Sequence, residues 1–432
     1  MNLLLSINQY YCCGQEQTDR TKAINALVQQ LQSTTVDDST RWRAADSLRE
    51  IGTGNEIAIA ALVQLLQSST VDDSTRRWAA ESLGKIGTGN EIAIAALVQL
   101  LQSSTVDDST RRWAAESLGK IGTGNEIAIA ALVQLLQSTT VDYYTRLQAA
   151  DSLGKIGTGN EIAIAALVQL LQSTTVHDSI RRRAADSLGK ICTGNEIAIA
   201  ALVQLLQSTT VDDSTRRQAA SSLGKIGTGN EIAIAALVQL LQSTTVDDST
   251  RWRAADSLWE IDPGNEIAIA ALVQLLQSST VDDSTRRWAA ESLGKIGTGN
   301  EIAIAALVQL LQSTNVNDYT RRQAADSLGK IDPGNEIAIT ALVQLLQSTT
   351  VDDETRRWAA NSLGEIIQNN QHRIAVVKAL SDYWQFDDKY YHLAWKCAQN
   401  MPYPHFYQAW HQHNFATRAM RSLKKILFTR II

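Results

Sequence analysis

Arginine returns at the same place in every 35-residue stretch: Arg41, Arg76, Arg111, Arg146, Arg181, Arg216, Arg251, Arg286, Arg321 and Arg356. Each guanidinium is a planar fork of five donors, so a column of them could hold carboxylates or phosphates. Trp42, Trp78, Trp113, Trp252, Trp288 and Trp358 fall one or two positions after these arginines, and Arg183 shares the column of Trp78. Tyr144, Tyr319 and Trp259 lie close by along the same stretch. Rings and guanidinium groups of this kind are what binding surfaces concentrate. Reaction chemistry is harder to find. Gly84-Lys85-Ile86-Gly87-Thr88-Gly89 lacks the GxxxxGK[ST] spacing of a phosphate loop, and no strand precedes it. His411 and His413 are two apart and do not share a helix face, so they make a poor metal pair. Cys192 replaces a turn glycine, and nothing near Cys12-Cys13 marks them as reactive. Identical units rarely bring unlike reactive groups into one pocket. The expectation is no catalytic residue, no cofactor and no metal.

The elements that must position these columns follow from the repeat. Gly54-Asn55-Glu56-Ile57-Ala58-Ile59 recurs with its glutamate at Glu91, Glu126, Glu161, Glu196, Glu231, Glu266, Glu301 and Glu336. A fixed period in this range marks a solenoid, whose units bury their apolar faces only by stacking. Within one unit, Asn55 is a good helix N-cap, with Glu56 at the positive end of the helix dipole. The run Ile57 to Leu66 is apolar nearly all round, which predicts a mostly buried first helix. Asp72-Asp73-Ser74 then caps a second helix that turns Ala79, Ala80, Leu83 and Ile86 inward. Gly87 suits the left-handed stop of that helix, and Asp262-Pro263-Gly264 and Asp332-Pro333-Gly334 supply equivalent turns. The predicted fold is an all-α solenoid of about ten 35-residue hairpins with a C-terminal helical cap. Residues 1–17 read as a lead segment, 18–367 as the solenoid and 368–432 as a C-terminal helical segment. The first hairpin is degenerate, with Thr18 or Asp19 as its expected N-cap.

Charge argues against a polyanion partner. The chain carries a net −6, and within a unit Glu56, Asp72, Asp73 and Glu81 outnumber Arg76, Arg77 and Lys85. The four cysteines form no disulfide framework, which fits a cytoplasmic location. No signal peptide is read at the N-terminus, and the apolar run Ile57–Val63 is far too short to span a bilayer.

The stretch from Asp72 through Arg76, Ala79-Ala80 and Leu83-Gly84-Lys85-Ile86-Gly87 resembles the second helix of short HEAT-like repeats, the type named after phycobilisome lyases. The resemblance covers about residues 18–367. It implies that second helices line a concave surface. It also implies that the column Arg76, Arg111, Arg146, Arg181, Arg216, Arg251, Arg286 and Arg321 is a structural ladder between neighbouring units, paired with the Asp72 column. The ten copies differ mainly at the positions of residues 74, 77, 78, 81, 84 and 85, which trace the helix face opposite Ala79, Leu83 and Ile86. A partner-binding concave face is therefore expected at Trp42, Trp78, Trp113, Tyr144, Arg183, Trp252, Trp259, Trp288, Tyr319 and Trp358. The function read from this is a non-enzymatic protein-binding scaffold or sensor. A bilin-lyase-like enzyme or chromophore chaperone is the rival, and nucleic-acid binding through the arginine columns is a weaker one.

The segment from Leu393-Ala394-Trp395-Lys396-Cys397 to Phe406-Tyr407-Gln408-Ala409-Trp410-His411 resembles the C-terminus of cyanobacterial NACHT proteins, signalling NTPases of the STAND class. In those, HEAT-like repeats act as a sensor. This chain has no Walker motif, so no NTPase activity carries over. It is expected to be a detached sensor half or a piece of a longer protein, with a NACHT-type NTPase or its ligand as partner. Arg418, Arg421, Lys424, Lys425 and Arg430 close the chain with no acid among them, beside the apolar Met420, Leu423, Ile426, Leu427 and Ile431. A capping helix over the last hairpin is the expectation there, and membrane contact is its rival.

Overall fold

The computed structural model describes residues 2–411 apart from 34, 280 and 382–387. The expectation for Arg418–Ile432 lies outside the described residues. The described residues form 22 helices in chain order, followed by a helical stretch at 403–411. After α1 (Asn2–Gln32) and α2 (Asp38–Ile51), one pattern recurs: a 12-residue A helix such as α3 (Glu56–Gln67) or α5 (Glu91–Gln102), then a 14-residue B helix such as α4 (Asp73–Ile86) or α6 (Asp108–Ile121). The chain divides into two compact units, residues 1–227 and 228–432. Within each unit, A helices pack on A helices and B helices on B helices of the next hairpin.

Local sequence explains each boundary. Asn55 accepts from the backbone N–H of Ala58 at 3.0 Å, and Asp72 from that of Thr75 at 2.7 Å, so both helices start on side-chain caps. The end of the B helix departs from expectation. Gly87 has φ −100°, and the left-handed residue is Gly89 at φ +70°. Gly87 is small for steric reasons, since a Cβ there would lie 2.9 Å from the Leu83 carbonyl oxygen and 3.1 Å from the Ala93 Cβ. Cys192, Asp262 and Asp332 take its place by moving to extended backbone, while Gly194, Gly264 and Gly334 keep the positive φ. That conformation aims the Gly89 N–H at the Ile121 carbonyl of the next hairpin, 3.1 Å away, and Gly54 reaches Ile86 in the same way at 2.9 Å. The turn glycine thus stitches neighbouring hairpins.

One further expectation is corrected. The backbone is helical from Asn2 to Gln32, so neither Thr18 nor Asp19 caps its start. The A helix is mostly buried, as expected: Ala58, Ile59, Ala61, Leu62, Val63, Leu65 and Leu66 are buried, and Ile57 and Ala60 face outward. Seven interior residues in twelve suffice to fix the helix between its neighbours, which leaves one face to solvent.

Candidate functional site

The B-helix face carries the columns that vary. The inward set is as expected, with Ala79, Ala80, Leu83 and Ile86 at most 1% exposed. Position 84 is not on the open face. Gly84 is buried, and a Cβ there would meet Ser117 of α6 at 2.6–2.8 Å. Gly119 stands the same way against Ser152 of α8 (Tyr143–Ile156), so glycine sets how closely adjacent B helices approach. At two seams glycine is missing. Arg49 of α2 reaches Glu81 of α4 at 2.6 Å instead. Trp259 of α14 (Asp248–Ile261) faces outward, 41% exposed.

Of the aromatic residues expected on this face, Tyr144, Tyr319 and Trp259 are exposed, whereas Trp42, Trp78, Trp113, Trp252, Trp288 and Trp358 are half-buried, as is Arg183. The tryptophan bodies therefore lie partly on the helix layer. Trp42 and Trp78 come together as a stacked pair, ring centroids 5.4 Å apart. Arginine accompanies the rings: Arg43 sits 5.5 Å from the centroid of Trp42, Arg49 5.9 Å from Trp78, Arg253 4.8 Å from Trp252, and Arg322 4.5 Å from Tyr319. Acids neutralise some of the other cations, while Arg77 and Arg182 donate to the hydroxyls of Ser109 and Ser214. Arg183 pairs with Asp151 at 3.3 Å, Lys120 with Glu116 at 2.9 Å and Lys155 with Asp151 at 2.8 Å. The face offers flat rings and bidentate donors on a charge-balanced ground, which suits a mixed polar and apolar partner better than a phosphate backbone.

The arginine column is structural, but its partner differs from the one expected. Arg76 donates to Asp73 at 2.7 Å and to the Ser68 carbonyl at 2.9 Å, both in its own hairpin, while Asp72 is occupied as the cap. Arg111 and Arg286 do the same with Asp108 and Asp283, and Arg181, Arg216, Arg251 and Arg321 also take the acid three residues before them. A three-residue step puts the two groups on one helix face. The link to the next hairpin passes through the same carboxylate, because the second Asp108 oxygen accepts from the Asp142 N–H at 2.8 Å. Arg146 is the exception. Tyr143 stands where its acid would be.

The C-terminal segment, which the sequence reading likened to the C-terminus of NACHT proteins, adds further exposed rings. α21 (Asn370–Leu380) and α22 (Asp388–Gln399) continue the stack, α21 on the A helix α19 (Glu336–Gln347) and α22 on the B helix α20 (Asp353–Ile366). Tyr391, Trp395, Tyr403 and Tyr407 are all at least half exposed. Their clustering was legible; their exposure was not. Between α20 and α22 lies a cavity of about 270 Å³ lined by Trp358, Asn361, His392 and Lys396 among others. Lys396 donates to the Gly364 carbonyl at 2.5 Å on its wall. The last tryptophan of the B face thus borders the C-terminal segment. Burial pushes the Cys397 thiol up to about 11, so it is protonated at neutral pH. Among the described residues no group of three His, Cys, Asp or Glu side chains is placed to hold a metal, and no helix is long and apolar enough to cross a membrane.

Comparison with known proteins agrees with this geometry. A family model described as HEAT repeats matches in overlapping windows from residue 12 to 391. A second, described as NACHT C-terminal Cysteine and Histidine-containing, matches residues 382–411. No curated protein matches. Among solved structures, an engineered protein is 32% identical over 80% of this chain and 98% of its own, with a TM-score of 0.40. Importin β is 16% identical over 91% of this chain and 59% of its own, and Kap95p, in a structure with RanGDP, 15% over 92% and 59%; both have a TM-score of 0.57. At that identity the importin-type proteins speak for the fold alone, an α-solenoid. The chain spans about three-fifths of their length.

Proposed function

Because this chain belongs to the HEAT-repeat family and carries a NACHT-associated segment at 382–411, we propose that it is a non-catalytic recognition module of a NACHT-type signalling or defence system. HEAT solenoids are typically protein-binding scaffolds. In the reading proposed here, a protein partner lies along the B-helix face of the hairpins. It meets Trp42, Trp78 and Trp113, with Tyr144 and Arg183, in the first unit. It meets Trp252, Trp259, Trp288, Tyr319 and Trp358 in the second. The observation that supports this is the distribution of differences. The A helices are nearly invariant, yet the column of Trp78 exchanges Trp, Arg and Gln from hairpin to hairpin. Drift under packing alone favours like-for-like replacement, whereas a surface shaped to one partner needs unlike groups in a fixed order.

The test is affinity capture with the native chain and with a variant carrying Trp78→Ala, Trp113→Ala, Trp288→Ala and Trp358→Ala, matched for helicity. Loss of the captured partner from the variant is expected. Equal retention would move the site to Tyr391, Trp395, Tyr403 and Tyr407. The bilin-lyase reading would be revived only by visible absorbance on adding bilin.

A further inference from the structure

The opposite face of the hairpins carries apolar and charged groups that the B-helix reading leaves unused. In the first unit the A helices α3, α5, α7 (Glu126–Gln137), α9 (Glu161–Gln172) and α11 (Glu196–Gln207) each open on Glu-Ile, and both side chains are exposed. Ile57 is 54% exposed, Ile197 67%, and Ile92, Ile127 and Ile162 lie between. The Ala60 column beside them is exposed as well. The glutamine row beyond is closed on itself, Gln67 donating to Gln99 at 3.0 Å and Gln102 to Gln134 at 3.3 Å. The charge is one-sided. From Gly52 to Val71 the only charged residue is Glu56, whereas Asp72, Asp73 and Glu81 in the rest of the hairpin are matched by Arg76, Arg77 and Lys85. Glu56, Glu91, Glu126, Glu161 and Glu196 have no ion-pair partner among the described residues. Lysines are taken elsewhere: Lys85 by Glu50 at 2.7 Å, Lys120 by Glu116 at 2.9 Å, and Lys155 by Asp151 and Lys190 by Asp186 at 2.8 Å. The positive end of the helix dipole accounts for an acid at these positions, but not for the isoleucine beside it. The first unit thus presents a row of isoleucines flanked by a row of unneutralised carboxylates, more than scattered surface residues account for.

We propose that this isoleucine–glutamate ridge of the first unit docks a basic amphipathic helix of a protein partner, laid across the A helices. Charge complementarity selects the occupant. A row of carboxylates without cations calls for lysine or arginine, and the isoleucine row calls for an apolar face. The geometry sets where those cations belong. Glu56 and Ile57 are adjacent in sequence, so they project about 100° apart around their helix. The two rows therefore run side by side, and the partner carries its cations along one flank of its apolar stripe. The spacing suits a helix. Neighbouring packed helices are about 8–10 Å apart, and seven residues of helix advance about 10.5 Å. One apolar residue and one cation every two turns thus meet each rung. The exposed alanines put no bulk in the way. Other occupants fit less well. A second copy of the ridge brings carboxylates and no cation, and an anionic membrane repels the same carboxylates. The ridge lies on the A helices, so this docking does not depend on the partner proposed for the B-helix face.

Fluorescence anisotropy of the full chain with a labelled synthetic helix tests this. The probe is about 21 residues long, enough to cross about three rungs. It has leucines on one face and lysines along one flank, and its counterpart has glutamates in place of the lysines. The ridge variant carries Glu91→Gln, Ile92→Ser, Glu126→Gln and Ile127→Ser, all at exposed sites, and is matched to the native chain for helicity. The native chain is expected to bind the lysine probe about tenfold more tightly than the ridge variant does, and more tightly than it binds the glutamate probe. Added salt should weaken the native complex. Trp78→Ala with Trp113→Ala, on the B-helix face, should leave the affinity unchanged, which separates this ridge from the site proposed above. Equal affinity of native chain and ridge variant for the lysine probe would overturn the proposal. Equal affinity of the native chain for the two probes, or a loss in the tryptophan pair, would do the same. If the native chain ignores the probe and instead self-associates through the ridge, or binds phosphatidylcholine vesicles through it, the face belongs to a second copy or to a lipid surface, and the proposal falls.

Discussion

The seam between α6 and α8 and the seam between α14 and α16 (Asp283–Ile296) are built from the same two-helix unit. They differ at one decisive position. In the first, Gly119 allows α8 so close that a Cβ would come within 2.7–2.9 Å of Ser152. In the second, Trp259 occupies that position, 41% exposed, and Ser292 and Thr285 opposite are each 5% exposed where Ser152 and Thr145 are sealed. One residue type thus decides both how tightly B helices approach and whether an aromatic group reaches the open face. Binding character and packing are set at the same position, so a change there trades one for the other.

The sharpest way to break the comparison is Gly119→Trp. Overpacking a closed seam should cost about 2–3 kcal/mol, read as a fall in the denaturant midpoint of the first unit. An unchanged midpoint would mean the seams yield freely and glycine is incidental. The reverse change, Trp259→Gly, should act less. Glycine costs a helix about 1 kcal/mol, and a closing seam offsets this, so amide exchange in α16 should slow at nearly constant stability. Faster exchange would show that Trp259 fills the seam and does not hold it open. The smallest effect concerns the cap of α16. Asp282 accepts from the Thr285 N–H at 2.7 Å, and this bond holds its carboxyl below the usual carboxylate range. A depressed folded-state pKa adds stability above the unfolded value of about 3.9, which is lost as pH falls through the folded value. Asp282→Asn should therefore flatten the stability profile below about pH 4 and leave pH 7 nearly unchanged, since Asn317 already caps α18 (Asp318–Ile331) at 2.9 Å. A variant as acid-sensitive as the native chain would remove Asp282 from the account.

Much of this architecture is legible in one 35-residue unit. Asn55 and Asp72 announce their helices because a cap needs only its own next turn. The inward set Ala79, Ala80, Leu83 and Ile86 follows from helical spacing. The variable columns were legible too, because internal copies can be compared. What misled was whatever a neighbouring hairpin decides. Arg76 had two adjacent acids to choose from, and only the demand of the cap for Asp72 leaves Asp73 free to pair. Gly84 falls on the variable face by angle, yet the next B helix covers it. Tryptophans expected to stand clear lie half-buried against the layer.

The sequence by itself determined the hairpin, its period, its caps and the all-α solenoid, because these depend on contacts within a few residues or on the repetition of one pattern. The tertiary structure alone decided which sides of those helices meet a neighbour and which meet water. An A helix that is apolar all round has no preferred side until stacking buries Ile59 and Leu62 and leaves Ile57 outside. Helical period fixes the angles between side chains; only packed neighbours fix which angle points to solvent.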